Sequence, residues 1–414
     1  MQYLYINKLK IISFFLIGIP FFLTTGPLLP DLIVVITSII FLFNYKKDLK
    51  EISKKNYILL IFWVFLVFSS LASENILYSL KSSFFYIRFY IFSFFIFYLL
   101  KKKIINFKSI LNILLVILIF LICDSHFQYI FGWNIFGFVP ESKLRISSIF
   151  GSELIMGSFI LRIFPIMIIC SLLLKKKKIL YLLPLIYSSI ILSGERTSIL
   201  MSIFFLIIFL IIKLELKQKI IIFSSILLVF FVHFNFNKNF NYNFTERMKE
   251  EIIFDLNKNL LISDLNKKKN EQNLPFTIFT ENHTLIFNTA FSMFLEKKII
   301  GHGPNTFRKK CDRFDDSLCS THPHNFIFQL LAETGIIGLF FYLSLILLLI
   351  INLFKCIFYK VSNSNIKIIL ISSLLINFFP LSPSGNFFNN FLNISMYYPL
   401  GFYLYFFDIN KNYN

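Results

Sequence analysis

Apolar runs about as long as a bilayer is thick recur along almost the whole of this 414-residue chain. A hydrocarbon core of roughly 30 Å takes about 20 residues of α-helix, with about 17 tolerated. The runs are continuously apolar instead of alternating, which selects helices over a β-barrel. Twelve stretches fit: 11–28, 31–45, 57–73, 83–100, 109–123, 153–174, 179–194, 197–212, 220–235, 336–354, 368–382 and 387–407. The second, fifth, seventh, eighth, ninth and eleventh are short by this measure. The expected fold class is an all-α polytopic membrane protein. Hydrophobic residues make up 57% of the chain and charged ones 15%, against about 45–50% and about 25% in soluble proteins. A soluble enzyme, a disordered protein and a secreted disulfide scaffold are excluded.

Charge gives the runs a direction. Lys and Arg number 41 against 22 Asp and Glu, a net charge of +19. With the N-terminus in the cytoplasm, 22 of the basic residues fall in inside segments. The short outer loops hold only Lys81, Lys143, Arg145 and Arg196. That asymmetry follows the positive-inside bias, so both termini are expected to be cytoplasmic. The first run has a basic start like a signal sequence, but no small-residue cleavage site follows before the second run, and it reads as an uncleaved anchor. No internal repeat or Gly/Ser linker is visible, and the 57 Phe read as compositional bias.

Residues 236–325, between the ninth and tenth runs, are expected outside. They hold 13 of the basic residues, including Lys267 to Lys269 and the cluster Arg308, Lys309, Lys310 and Arg313. Long outer loops escape the positive-inside bias, and loops of such length are usually functional or disordered. The part from 236 to 275, rich in Asn and Lys, reads as flexible. From Glu281 to Lys298, the spacing of Phe287, Ala290, Phe291, Phe294 and Leu295 predicts an amphipathic helix on the membrane surface. The chain thus divides into a membrane region over 1–235 (nine helices), the loop over 236–335 and a second membrane region over 336–414 (three helices).

Residues able to do chemistry concentrate in that loop. Of His126, His233, His283, His302, His322 and His324, four lie between 283 and 324. Gly301, Gly303, Pro304 and Pro323 favour tight turns, and Asn325 is placed to cap the following helix. Cys311, Cys319, His322 and His324 lack the short Cys-x2–4-Cys spacing of structural zinc sites. A Cys311–Cys319 disulfide in an oxidising compartment suits the pair better, and no metal is expected. His324 reads either as an interfacial histidine bonded to a turn or as a general base drawing a proton from a hydroxyl. Arg88 and Arg162 sit inside apolar runs, where an arginine is costly and marks a paired or functional site. Any carboxylate partner of Arg162 must come from another span. Arg196 can pair with Glu195 or snorkel to the interface, and Arg145 can be solvated. Outer arginines beside a wide basic loop also suit a phosphate-bearing lipid.

The stretch Gly301-x-Gly303-Pro304-x-x-Phe307, followed by His324-Asn325-x-x-x-Gln329-x-Leu331-x-Glu333-x-Gly335-x-x-Gly338, resembles the signature of the bacterial O-antigen ligase and polymerase family. The many spans with a large outer loop ahead of this signature resemble it too, so the resemblance covers most of the chain. It implies a membrane-bound transferase moving a glycan from undecaprenyl pyrophosphate to an acceptor hydroxyl on the periplasmic face of the bacterial inner membrane, without metal, nucleotide sugar or other cofactor. His324 would activate the acceptor, Arg196 would bind the pyrophosphate, and Glu333 would orient the motif. His322, Arg145 and Arg88 are further candidates for the substrate site. One departure concerns the loop helix. The family often has an arginine there, four residues before a tryptophan, where this chain has His283 and Phe287. Either His283 replaces that arginine, or the pyrophosphate is held by another cation such as Arg145 or Arg308.

Three functions remain open. A ligase would join O-antigen to lipid A–core, as the Pro-flanked pair His322-Pro323-His324 slightly favours, and a polymerase would join repeat units. A transporter or flippase of lipid-linked glycan is disfavoured, because polar residues gather at the outer face and no repeat is visible. Nucleic acid is not an expected partner, since the basic residues are split between two faces in small clusters; membrane lipids are.

Overall fold

The computed structural model describes residues 2–140, 145–242, 281–314, 319–380 and 384–408. Lys143, Lys267 to Lys269, Lys411 and most of the Asn/Lys-rich stretch lie outside them. All regular elements among the described residues are helical. Those of nine residues or more are α1 (Gln2–Ile17), α2 (Leu28–Asn44), α3 (Lys46–Lys55), α4 (Tyr57–Leu71), α5 (Ile76–Phe84), α6 (Ile87–Lys101), α7 (Phe107–Phe131), α8 (Met156–Leu173), α9 (Leu183–Leu192), α10 (Arg196–Ile211), α11 (Leu216–Phe236), α12 (Glu281–Glu296), α13 (Phe326–Phe358), α14 (Ser364–Asn377) and α15 (Asn390–Asp408).

Five of these are long and apolar enough to cross a bilayer: α5 with α6 as one stretch, α7, α8, α11 and α13. A sixth is added if α2 and α3, bent by 100°, form one span. The difference from twelve runs has local causes. The run 11–28 is interrupted at Gly18, ahead of Pro20. The run 179–194 begins as a 3-10 turn, Lys177–Leu182, and becomes α-helical only at Leu183 with Pro184 in its first turn. α14 stops at Asn377, three residues before Pro380, so the run 368–382 does not end where its apolar residues do. An α-helix of 14 to 16 residues is only about 21–24 Å long, which leaves α4, α10 and α14 short of the hydrocarbon thickness.

Burial separates interior helices from peripheral ones. Residues 89–100 of α6 and 366–377 of α14 are buried without interruption, so these helices are covered by protein on every face. α11 instead turns Ile220, Leu227, Leu228 and Phe231 outward. α6 and α15 approach closely because Gly401 has no side chain: a Cβ there would lie 2.6 Å from Ile96 Cβ. Across the same contact Ser93 Oγ donates to Tyr397 O at 2.7 Å and Tyr86 OH donates to Asn393 Oδ1 at 2.7 Å. Small residues and interhelical hydrogen bonds are what join helices where no hydrophobic gain distinguishes protein from lipid.

α12 forms where the spacing predicts it, but its apolar face is covered by protein. Ile286, Phe287, Ala290 and Met293 pack against Phe307, Cys311, Phe328 and Ala332. Phe291 and Phe294 are half-buried, and Leu295 is exposed. The face expected on a membrane surface therefore docks on α13.

Candidate functional site

α13 contains a break on which the site is built. Gly335 has φ 64° and ψ −165°, a combination open only to glycine. In an unbroken helix the N–H groups of residues 336 and 337 would pair with the carbonyls of 332 and 333. Here all four groups turn to residues 298–303. Ile336 N–H donates to Lys298 O (2.9 Å) and Ile337 N–H to Ile299 O (3.4 Å), while His302 N–H donates to Ala332 O (3.1 Å) and Gly303 N–H to Glu333 O (2.8 Å). The two backbones touch, so a Cβ at Gly301 would collide with the Glu333 carbonyl carbon and one at Gly335 with that of Ile299. Gly301 and Gly335 of the signature are thus accounted for by close backbone approach.

The Glu333 carboxylate closes this junction. Oε2 accepts from Asn305 N–H (2.9 Å) and Gln329 Nε2 (3.1 Å), and Oε1 from Phe307 N–H (2.9 Å). The same lattice continues outward. Gln329 Nε2 also donates to Asn386 Oδ1 (2.9 Å), Asn386 Nδ2 to Asn305 Oδ1 (2.8 Å), and Phe387 N–H to Gln329 Oε1 (2.8 Å).

One turn earlier, Asn325 caps α13, accepting at Oδ1 from Ile327 N–H (2.8 Å) and Phe328 N–H (3.4 Å). Its Nδ2 donates to Pro380 O at 3.0 Å, and Ser384 N–H donates to His324 O at 2.8 Å. His324 has a left-handed backbone, φ 57°, which histidine adopts more readily than most residues. Its ring centroid lies 4.1 Å from that of His322 and 6.2 Å from that of His283. Phe287, one turn after His283, stacks on Phe328 at 4.3 Å and fixes α12 against α13. Burial, and then His283, hold His324 below the usual histidine range. Burial, and then His324, push His322 down to about 4. Near neutral pH both imidazoles are uncharged, the state a base must have. Arg308, exposed in the turn after Phe307, acts electrostatically on both His322 and Glu333.

The arginines lie in two other places. Glu195 turns its carboxylate onto the N-terminus of α8, accepting from Gly157 N–H at 2.7 Å, from Ser158 N–H at 3.2 Å and from Ser198 Oγ at 3.0 Å. Such a cap matches the positive end of a helix dipole. Arg145 donates to Leu154 O (3.0 Å) and Ser193 O (3.4 Å), and Arg162 to Asn377 Oδ1 (3.1 Å). Both arginines interact electrostatically with Glu195. Arg196, next in sequence, opens α10 and is half-buried. Arg88 is elsewhere, in an ion pair with Asp31 (3.1 Å) and donating to Phe85 O (2.8 Å) and Asn390 Oδ1 (2.7 Å). It ties α2, α6 and α15 together.

The structure therefore brings His283, His322, His324, Glu333 and Arg308 to one corner, and Arg145, Arg162 and Arg196 to another. Asn377 is bonded to Arg162 and Pro380 to Asn325, so a few residues link the two corners. Asn305, Asn377 and Asn386 were not anticipated as site residues. The clue to the last two was the density of Asn, Pro, Ser and Gly between 377 and 390, a turn signal between two apolar runs.

Cys311 and Cys319 are disulfide-bonded, with Cα atoms 5.3 Å apart. Glu74, Glu296 and His302 bring potential metal-ligand atoms within 4.8 Å of one another. Glu74 is already paired with Lys297, Lys310 and Arg313 at 2.9–3.1 Å, a surrounding that opposes a dication.

Residues 180–343 match the profile of the family described as O-antigen ligase. The match spans about two fifths of the chain, which over this stretch is similar to that family. The matched stretch holds Arg196, all three clustered histidines, Glu333 and the α13 break; Arg88, Arg145, Arg162 and Asn386 lie outside it. No curated protein matches the chain. The stretch similar to O-antigen ligases thus lies in a chain that has, among the described residues, five helices long and apolar enough to cross a bilayer.

Proposed function

We propose that the ligase domain transfers a glycan from undecaprenyl pyrophosphate to a hydroxyl of lipid A–core, on the periplasmic face of the bacterial inner membrane. The observation that carries this reading is a half-buried histidine kept neutral, His324, beside His322, on which Arg308 acts electrostatically. His324 takes the acceptor hydroxyl proton as the oxygen attacks the anomeric carbon. The bond from that carbon to the pyrophosphate oxygen breaks, and its electron pair leaves with undecaprenyl pyrophosphate. Arg196 and Arg145 on one side, and Arg308 on the other, meet the charge of the leaving group. His283 stands where relatives often carry arginine and faces the same ring. His322 and Glu333 hold the motif in place, and Arg88, engaged by Asp31, serves the helix packing.

The topology that goes with this reading has twelve membrane segments, both termini inside, and the 236–325 loop outside between the ninth and tenth. A disulfide in that loop is in keeping with an oxidising compartment. The division into 1–235, 236–335 and 336–414 then separates two membrane regions by the part that does the chemistry.

Deletion of the gene followed by electrophoresis of lipopolysaccharide tests the reading. Loss of all long chains with accumulation of lipid-linked polymer is the expected result. A single repeat left on the core would make the protein a polymerase instead, and unaltered glycans would remove both functions.

A further inference from the structure

Glu74 lies in the turn between α4 and α5, more than a hundred residues before the ligase domain begins, yet its contacts run into that domain. Its Oε1 is 3.0 Å from Lys310 Nζ and 3.1 Å from Lys297 Nζ, and its Oε2 is 2.9 Å from Arg313 Nη1. These three pairs are unequal. Arg313 is 62% exposed, where water screens most of the attraction, while the Lys310 side chain is 0% exposed. A buried ammonium without a counter-charge is strongly unfavourable; among the described residues Glu74 is the carboxylate paired with Lys310, whose Nζ also meets Nδ1 of His302 at 3.2 Å, while the Glu296 carboxylate stands within 4.8 Å of Glu74 and His302. His302 Nε2 in turn bonds Met293 O at 2.9 Å, which fixes Nε2 as the protonated nitrogen and Nδ1 as the acceptor.

From His302 the connection to the site is through backbone. Ser73 Oγ donates to His302 O (2.6 Å) and Ser69 Oγ to Ile300 O (2.8 Å). Gly303 rests on Ser73 and Ser79, 2.6–2.7 Å from where its Cβ would be. The amides of His302 and Gly303 are the ones that bond the broken turn of α13, whose first turn begins directly after His324 and Asn325.

We propose that Glu74 is a positioning residue of the transfer site: by neutralising buried Lys310 it seats the 298–307 turn against the α13 break and so sets where His324 stands. The three cations hold the Glu74 carboxyl down at about 2, so it is ionised near neutral pH. The inference rests on the glycan-transfer reading for its catalytic consequence, and on the contacts alone for the seating of the turn.

The test uses the full-length chain in native membranes and in detergent, as wild type, Glu74→Gln, and the double variant Glu74→Gln/Lys310→Met. Hydrogen exchange of peptides covering 298–307 is read beside glycan transfer at pH 7. In Glu74→Gln, exchange of those amides is expected to quicken roughly tenfold or more, and transfer at pH 7 to fall by a similar factor. The double variant, whose methionine needs no counter-charge, should regain both protection and activity at pH 7. Unchanged exchange in Glu74→Gln would overturn the seating. A loss of protection and activity that Lys310→Met does not restore would make Glu74 a support of the fold alone. If the wild type shows no glycan transfer, the transfer reading fails, while the exchange comparison still decides the role of Glu74.

Discussion

Around His324 the polar groups are held mainly by backbone and amide hydrogen bonds, whereas around Glu195 a single carboxylate serves a helix end and two arginines at once. The first corner has direction: each N–H of the broken turn has one acceptor, and a shift of one residue leaves several groups without partners. The second has charge, which is less directional and reaches further. The difference suits a proton transfer, which demands angles and distances, on one side, and recognition of a mobile pyrophosphate, which demands net attraction, on the other. It teaches that the arginines tolerate geometric change better than the histidine motif does, but tolerate loss of charge worse.

The strongest way to break this contrast is to remove the base. His324→Ala is expected to insert normally and to lose transfer by about 10²- to 10⁴-fold, the usual range for a general base. Assay with lipid-linked glycan in isolated membranes decides it, and full activity would deprive the histidine corner of its role. Gly335→Ala comes next. Its Cβ collides with Ile299 and its backbone angles suit only glycine, so a cost of about 1–3 kcal/mol is expected, seen as faster hydrogen exchange over 298–303 together with reduced transfer.

A paired comparison then sharpens the electrostatic half. Arg196→Gln should raise the KM for donor roughly tenfold, as for loss of a charge-assisted hydrogen bond. Arg88→Gln should leave that KM unchanged and lower the melting temperature by a few degrees, because it removes the ion pair with Asp31. Equal effects on KM would dissolve the distinction between the two arginines.

The smallest effect is in pH. Because His324 is held below the histidine range, it stays neutral to lower pH than a free imidazole, and the acid limb of the transfer profile should fall below about 6.5. His322, at about 4 in the folded chain, has a depressed pKa, so the unfolded chain binds more protons between those values. Its contribution to stability is complete above about pH 6.5 and is lost as pH falls towards 4. Melting curves at pH 7 and pH 5 in detergent should show that decline.

The helical class, the α12 helix and the Asn325 cap were legible because each rests on local pattern: length of apolar run, apolar spacing, and a side chain two residues before the amide it serves. Where each helix starts and stops was not, since a run such as 179–194 looks uniform in hydropathy while the 3-10 turn Lys177–Leu182 and Pro184 change its course. Nor was the destination of the α12 apolar face legible, because Phe287 presents the same surface to a lipid as to Phe328. The signature glycines pointed to turns. That Gly301 and Gly335 face one another across more than thirty residues is a long-range fact that spacing within either segment does not carry. Asn386 was missed for the same reason, as its side-chain bonds to Asn305 and Gln329 are long-range.

Those last three side chains bear on how such a protein can be altered or inherited. Asn386 bridges Asn305 and Gln329 from beyond the end of the matched domain, and Ser82 meets Asn305 from before its start, at 3.1 Å. The ligase domain is therefore not a cassette. Moved into another membrane scaffold, it would carry its histidine with it and leave behind the residues that hold the neighbouring turn in register. Exchanges between relatives should succeed only when the 69–82 and 377–390 segments travel with it.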